Sequence, residues 1–210
     1  QTFGVSKSIF SEKSNFLIPK IVLKNDKYKF ILNLFPNYDK WKNNPVDYIS
    51  KNYNAKLKEY PDVIVFEKRE NKEYLLCAIE YSNALLAGNQ AWQRQGRCFS
   101  FSDAGINFFY IIELGGKELD AKRNEKSIRY PNPAVILSYI NYINKFKKNF
   151  FPIFSLNSNS TDDFRSEYKE IINTNDYRNC LFDILIENKV KQKNIDNIVN
   201  KTKKYFYKLY

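Results

Sequence analysis

Apolar residues fall along this chain in short runs separated by charged or Asn-rich stretches, and the spacing within each run predicts the element it forms. Over 58–113 the order is strand, turn, strand, helix, strand. Two apolar runs, 62–66 and 74–81, flank the charged linker 67–73, which is the pattern of an antiparallel hairpin. Both are apolar at successive positions (Val63, Ile64, Val65, Phe66; Leu75, Leu76, Cys77, Ala78, Ile79), as strands covered on both faces are. The segment 84–101 has helical spacing. At about 100° per residue Leu85, Gly88, Trp92 and Phe99 fall on one side, expected to face the sheet, and Gln90, Arg94 and Arg97 fall opposite, with Gln93 at their flank. A third strand, 107–114 (NFFYIIEL), follows the helix and so should lie parallel to a hairpin strand. Gly115-Gly116 closes it as a turn, since the G-x-x-x-x-G-K-S/T context of a phosphate loop is missing.

The flanking regions are patterned less sharply. Residues 6–16 suggest a short helix, 21–23 and 28–35 a second hairpin, and 39–53 a weaker helix interrupted by Pro45. Residues 118–129 read as a charged loop and Tyr130-Pro131-Asn132-Pro133 as a stiff connector, while 134–146 begins like a strand and becomes helical, leaving both assignments open. Beyond a polar loop at 156–161, Asp162 is an N-cap candidate for a helix, and 176–188 and 195–210 show two more helical patterns. The last is basic, with Lys201, Lys203, Lys204 and Lys208 among Tyr205, Phe206, Tyr207 and Tyr210. The expected architecture is α/β: a central mixed β-sheet flanked by helices within 1–150, then a helical C-terminal extension or subdomain over 151–210.

The hairpin carries the candidate chemistry. Pairing symmetric about its linker sets Asp62 opposite 78–80, so that Asp62 and Glu80 meet at one edge of the sheet. By the two-residue period Asp62, Ile64 and Phe66 share a face, as do Leu76, Ala78, Glu80 and Ser82, and one register gathers Asp62, Glu80 and Ser82. Two buried carboxylates repel, which raises one pKa unless a cation compensates them, and a divalent metal resolves both costs. The competing reading is a strand-end acid in a salt bridge or helix cap. Glu59 is either a further ligand or a solvated charge. A row of guanidinium and amide groups on the following helix suits a phosphodiester, because Arg matches phosphate oxygens bidentately; an ordinary wet helix face is the alternative.

Pro61-Asp62, a hairpin of this length, Glu80-x-Ser82 and then a helix with Gln90, Gln93 and Arg94 resemble the PD-(D/E)XK core of restriction-endonuclease-like proteins, over about 58–113. The resemblance implies that Asp62 and Glu80 bind Mg²⁺, with Mn²⁺ as a possible substitute, and that a Gln or Arg of the helix contacts the site. In the family a Lys two residues after the Glu helps activate water; here Ser82 stands in its place. The resemblance and the polar helix face together give Asp62, Glu80, Ser82 and Gln93 as catalytic candidates and Gln90, Arg94 and Arg97 as nucleic-acid contacts. If the cation has moved, Gln90, Gln93, Arg94 or Lys68 are the positions to consider. Glu12, on the first helical pattern, is either a further acidic group of the site or a surface residue.

Composition narrows the chemistry further. There is no His among the 210 residues, which removes Ser-His-Asp and Cys-His triads and His-bound zinc, and leaves a metal-dependent hydrolase as the simplest surviving enzyme. The net charge of +11 suits a polyanionic partner such as DNA, although a Lys-, Asn- and Ile-rich chain also reflects an AT-rich genome. Three Cys without C-x-x-C spacing suggest reduced thiols in the cytoplasm, no apolar run approaches the length of a membrane span, and the N-terminus lacks a signal-peptide pattern. A chain without Met that opens on Gln1 suggests a domain from a longer polypeptide, with further domains or subunits as partners. The expectation is a Mg²⁺-dependent DNA endonuclease; the alternative is an inactive nuclease-fold module for nucleic-acid binding or assembly.

Overall fold

The computed structural model describes residues 20–24, 26–33, 45–53, 56–57, 59–69, 72–82, 89–115, 122, 124, 132–146 and 149–210. The segments expected at 6–16 (with Glu12) and 39–44, and nearly all of the 118–129 loop, lie outside them. Strands β1 (Lys20–Lys24) and β2 (Lys29–Asn33) pair antiparallel as a separate two-stranded sheet, and helix α1 (Pro45–Asn52) follows. Pro45 opens α1 rather than interrupting it. The first helical position is where its missing N–H costs nothing.

The central sheet has four strands in the order β3 (Val63–Arg69), β4 (Lys72–Ser82), β5 (Asn107–Leu114) and β6 (Phe150–Leu156). β3 and β4 are antiparallel; β5 runs parallel to β4 and β6 parallel to β5. Helix α2 (Asn89–Asp103) connects β4 to β5, and α3 (Pro133–Phe146) precedes β6, which settles 134–146 as helical. The architecture is thus α/β with a mixed sheet packed by helices and a helical C-terminal region. That region comprises α4 (Asp162–Tyr168), α5 (Thr174–Glu187) and α6 (Gln192–Leu209). Thr161, not Asp162, caps α4, its hydroxyl accepting from the Phe164 N–H.

One face of the sheet buries Ala78, Phe108, Tyr110 and Ile112 beneath α1, α2 and α3; the other buries Cys77, Phe109, Phe151 and Ile153 against Cys180, Ile184, Ile195 and Ile198 of α5 and α6. Two covered faces explain why the strands are apolar at successive positions. The hairpin is longer than its apolar runs suggest, because Glu67, Lys68 and Arg69 pair across to Tyr74, Glu73 and Lys72. The register slips between Val65 and Phe66, which pair with Cys77 and Leu75 and leave Leu76 as the extra residue of a bulge. Leu76 therefore packs with Cys77 on the α5 side and does not share a face with Ala78, as strict alternation requires. Among the described residues no helix is long and apolar enough to cross a membrane.

Candidate functional site

Above the bulge the hairpin register restores the alternation that matters. Val63 pairs with Ile79 and Ile64 with Ala78, so Asp62, just before β3, falls opposite Glu80 near the end of β4. The backbone N–H of Tyr81 donates to Asp62 Oδ2 at 2.7 Å, holding that carboxylate against the β4 edge. Glu80 is 1% exposed and Ser82, one step on along the same face, is equally buried. The register thus sets Asp62 opposite Glu80 at one end of the sheet, with Ser82 two residues further along β4.

Helix α2 supplies the positive charge. Arg97 Nη1 donates to Glu80 Oε1 at 2.7 Å, and its Nε donates to Glu59 Oε2 at 2.6 Å, so one guanidinium bridges the two acids. Arg94 Nη1 donates to the Tyr81 carbonyl at 2.6 Å and lies 3.8 Å from Glu80 Oε1. These contacts correct the rotation assigned to α2 from its hydrophobic pattern. Its buried face is Ala91, Gln95, Cys98, Phe101 and Ser102; Phe99 instead packs edge-on against Tyr142 and Phe146 of α3. The arginines consequently sit at the margin of the buried face, turned toward β4, and not on the opposite side. Polar residues are accommodated under the helix because they find partners: Gln95 Nε2 donates to Ser138 Oγ, and Ser102 Oγ to the Asn149 carbonyl. Gln90 and Gln93 lie within α2, and Lys68 within β3; their side chains lie outside what is described.

Burial is the largest influence on Glu80 and pushes its pKa up; Asp62 pushes it the same way, and Arg97 and Arg94 offset this only in part. Burial opposes the charge on Arg97, but Glu59 and Glu80 outweigh it and the guanidinium is held more firmly cationic than usual. Behind the site lie the buried Cys98 thiol and the Tyr110 and Tyr139 hydroxyls, all pushed up by burial. Ser82 faces Tyr110 there. Sequence pattern gave no sign of these groups, which belong to three different elements.

The donor set can be tested against a metal. Glu80 Oε2 is buried and makes no hydrogen bond with any described residue, and the Asp62 carboxylate opposite it is exposed. Two hard carboxylate oxygens at adjoining positions suit Mg²⁺, which is held through one or two carboxylates and completes its shell with water and substrate phosphate. No cluster of three or more His, Cys, Asp or Glu able to hold an ion by itself occurs among the described residues. Glu59, engaged by Arg97, anchors the guanidinium instead of adding a ligand.

Comparison with protein-family models, with curated proteins and with solved structures finds no match for this chain. Its chemistry rests on the geometry just described.

Proposed function

We propose that this domain hydrolyses phosphodiester bonds in DNA with Mg²⁺, in the manner of the restriction-endonuclease-like proteins that its sequence resembles. The observation carrying this reading is the opposition of Asp62 and Glu80 across β3 and β4, with Glu80 Oε2 buried and unbonded. Asp62 and Glu80 would hold the ion, which when bound supplies Lewis-acid activation of water and neutralises charge on the scissile phosphate. The acids Glu59, Asp62 and Glu80 outnumber Arg94 and Arg97 by one, so with all five charged these side chains would leave room for a divalent cation's charge beside an incoming phosphate. Arg97 and Arg94 retain N–H groups that no described residue accepts, and these orient the phosphate. Arg97 thereby supplies the cation that Ser82 does not. Cytoplasmic placement and assembly with further domains belong to the same reading.

Supercoiled plasmid incubated with the protein and Mg²⁺ or Mn²⁺ should be nicked or linearised, and Asp62→Ala and Glu80→Ala should each abolish this while keeping the parent's circular dichroism. Cleavage by both variants at the parent's rate would remove the site from consideration. One observation favours a second reading, an inactive nuclease-fold module that binds nucleic acid: Arg97 already neutralises Glu80 without any metal. That module would bind DNA with steep salt dependence and give no product at any metal concentration.

A further inference from the structure

Arg97 bridges two acids of unlike standing. The Glu80 side chain is 1% exposed and the Glu59 side chain 49% exposed. The two bonds also leave from different atoms of the guanidinium, Nε to Glu59 at 2.6 Å and Nη1 to Glu80 at 2.7 Å. The Nε contact lies nearer the stem of the side chain, so it can persist while the outer nitrogens change partners.

Glu80 shows the complementary half. Its Oε1 receives Arg97, while its buried Oε2 makes no hydrogen bond with any described residue. A buried carboxylate needs a compensating cation, and here Arg97 is that cation. A divalent ion held by Asp62 and Glu80 would do the same work, and two cations side by side out of water repel strongly. Glu80 thus has two rival counterions, and the half-wet Glu59 offers the displaced one a place to remain. Arg94 need not move, because its hydrogen bond is to the Tyr81 carbonyl and it stands 3.8 Å from Glu80.

Resting on the phosphodiester reading of that site, we infer that Arg97 is an exchangeable counterion, which occupies Glu80 until a divalent ion replaces it and is then kept at the rim by Glu59, its outer N–H groups released for a phosphate. The exchange sets an order of events. Before it, the acids Glu59, Asp62 and Glu80 outnumber Arg94 and Arg97 by one and Arg97 is engaged by two of them, so the cluster does not draw in a phosphodiester. After it, both conditions are reversed. Ion and phosphodiester therefore assist one another, and by linkage each raises the other's affinity by the same factor.

The test reads binding and not turnover. Mn²⁺ binding is followed by the electron paramagnetic resonance of the free ion, and DNA binding by the anisotropy of a labelled duplex in Ca²⁺ or in EDTA at matched ionic strength. The parent should bind the duplex about tenfold more tightly in Ca²⁺ than in EDTA. At mildly alkaline pH, which keeps Glu80 ionised, Arg97→Gln should bind Mn²⁺ about tenfold more tightly than the parent, and its Ca²⁺-dependent gain in DNA affinity should largely disappear. Glu59→Gln, at a half-exposed position, should bind Mn²⁺ more weakly than the parent, because the displaced arginine has lost its second acid. A parent with equal DNA affinity in Ca²⁺ and EDTA would overturn the exchange without recourse to a variant. An Arg97→Gln protein that bound Mn²⁺ no better than the parent, or kept the full Ca²⁺-dependent gain, would do the same and leave the cleavage reading standing. A parent that showed the coupling and never cut plasmid would overturn only the activity, and one that bound neither Mn²⁺ nor DNA would overturn both.

Discussion

Arg97 and Glu80 are joined at 2.7 Å, Nη1 to Oε1, with the carboxylate fully buried and the arginine side chain 27% exposed. Removing one partner of a wholly buried pair costs about 3–5 kcal/mol, because the other charge is left uncompensated. Here Arg97 is partly wet and Arg94 remains 3.8 Å from the same oxygen, so the loss for Arg97→Gln should be nearer about 1–2 kcal/mol. Thermal or urea melts measure it. A double-mutant cycle with Glu80→Gln should show the arginine substitution costing much less once the acid is neutral. If Asp62 and Glu80 hold Mg²⁺, millimolar Mg²⁺ should recover part of the Arg97→Gln loss, and should not do so in Asp62→Ala.

The raised pKa of Glu80 predicts an inverted pH dependence for this one group. A carboxyl whose pKa is higher folded than unfolded binds more protons in the native state between the two values, so its contribution is present at low pH and lost as pH rises through the folded pKa. Ionisation of Glu80 at neutral pH therefore works against the fold, despite Arg97 and Arg94. Glu80→Gln, which removes the ionisation, should gain on the parent in melting temperature as pH rises from the ordinary carboxylate range toward neutrality. A difference that stayed constant over that range would mean Glu80 titrates normally. If Asp62 and Glu80 hold Mg²⁺, adding it should narrow the gap at neutral pH by favouring the ionised parent.

Much of this arrangement is legible in the sequence, and the failures have physical causes. β5 is readable at both ends, and the opposition of Asp62 and Glu80 follows from a symmetric hairpin. The bulge at Leu76 is silent, because in a run apolar at every position an extra residue leaves no break in the pattern. The rotation of α2 departs from its hydrophobic pattern for the opposite reason: Gln95 and Ser102 are buried, and what permits it is partners on α3 and at Asn149, which no local pattern encodes. β6 lacks a clear strand pattern because Pro152 interrupts FFPIFSL. It is tolerated since β6 is an edge strand, where one face of the ladder needs no N–H. The bridge from Arg97 to Glu59 spans 38 positions and is purely tertiary.

Gly115 closes β5 in a conformation that only glycine adopts cheaply, with φ +76° and no room for a Cβ between Ser160 and Phe164. Gly115→Ala combines backbone strain with displacement of the stacked Phe164 and Tyr168 rings, so it should destabilise by about 3 kcal/mol. Denaturant melts should show a lower midpoint with an unchanged slope. The contrast with Gly96→Ala in mid-α2, where an added Cβ meets nothing within 4 Å and the change should be neutral or stabilising, makes the pair a calibration of which glycines serve the fold.

Asn173 closes the outer edge of β6 at Pro152 and Phe154. Asn173, 1% exposed, accepts the Phe154 N–H on Oδ1 at 2.6 Å, donates from Nδ2 to the Pro152 carbonyl at 3.0 Å, and gives its own N–H to the Phe154 carbonyl at 3.1 Å. It thus mimics a neighbouring strand where Pro152 would make true pairing poor. Asn173→Ala leaves a buried N–H and a buried carbonyl without partners, each costing about 1–3 kcal/mol, so the substitution should destabilise by about 2–6 kcal/mol. Asn173→Asp should come close to the parent at acid pH, where the neutral carboxyl still accepts from the Phe154 N–H and can donate its O–H to the Pro152 carbonyl, and should lose the donor and stability as it ionises. Hydrogen exchange should locate the damage first at the Phe154 amide; if that amide stayed as protected as in the parent, the edge must be closed by something other than Asn173.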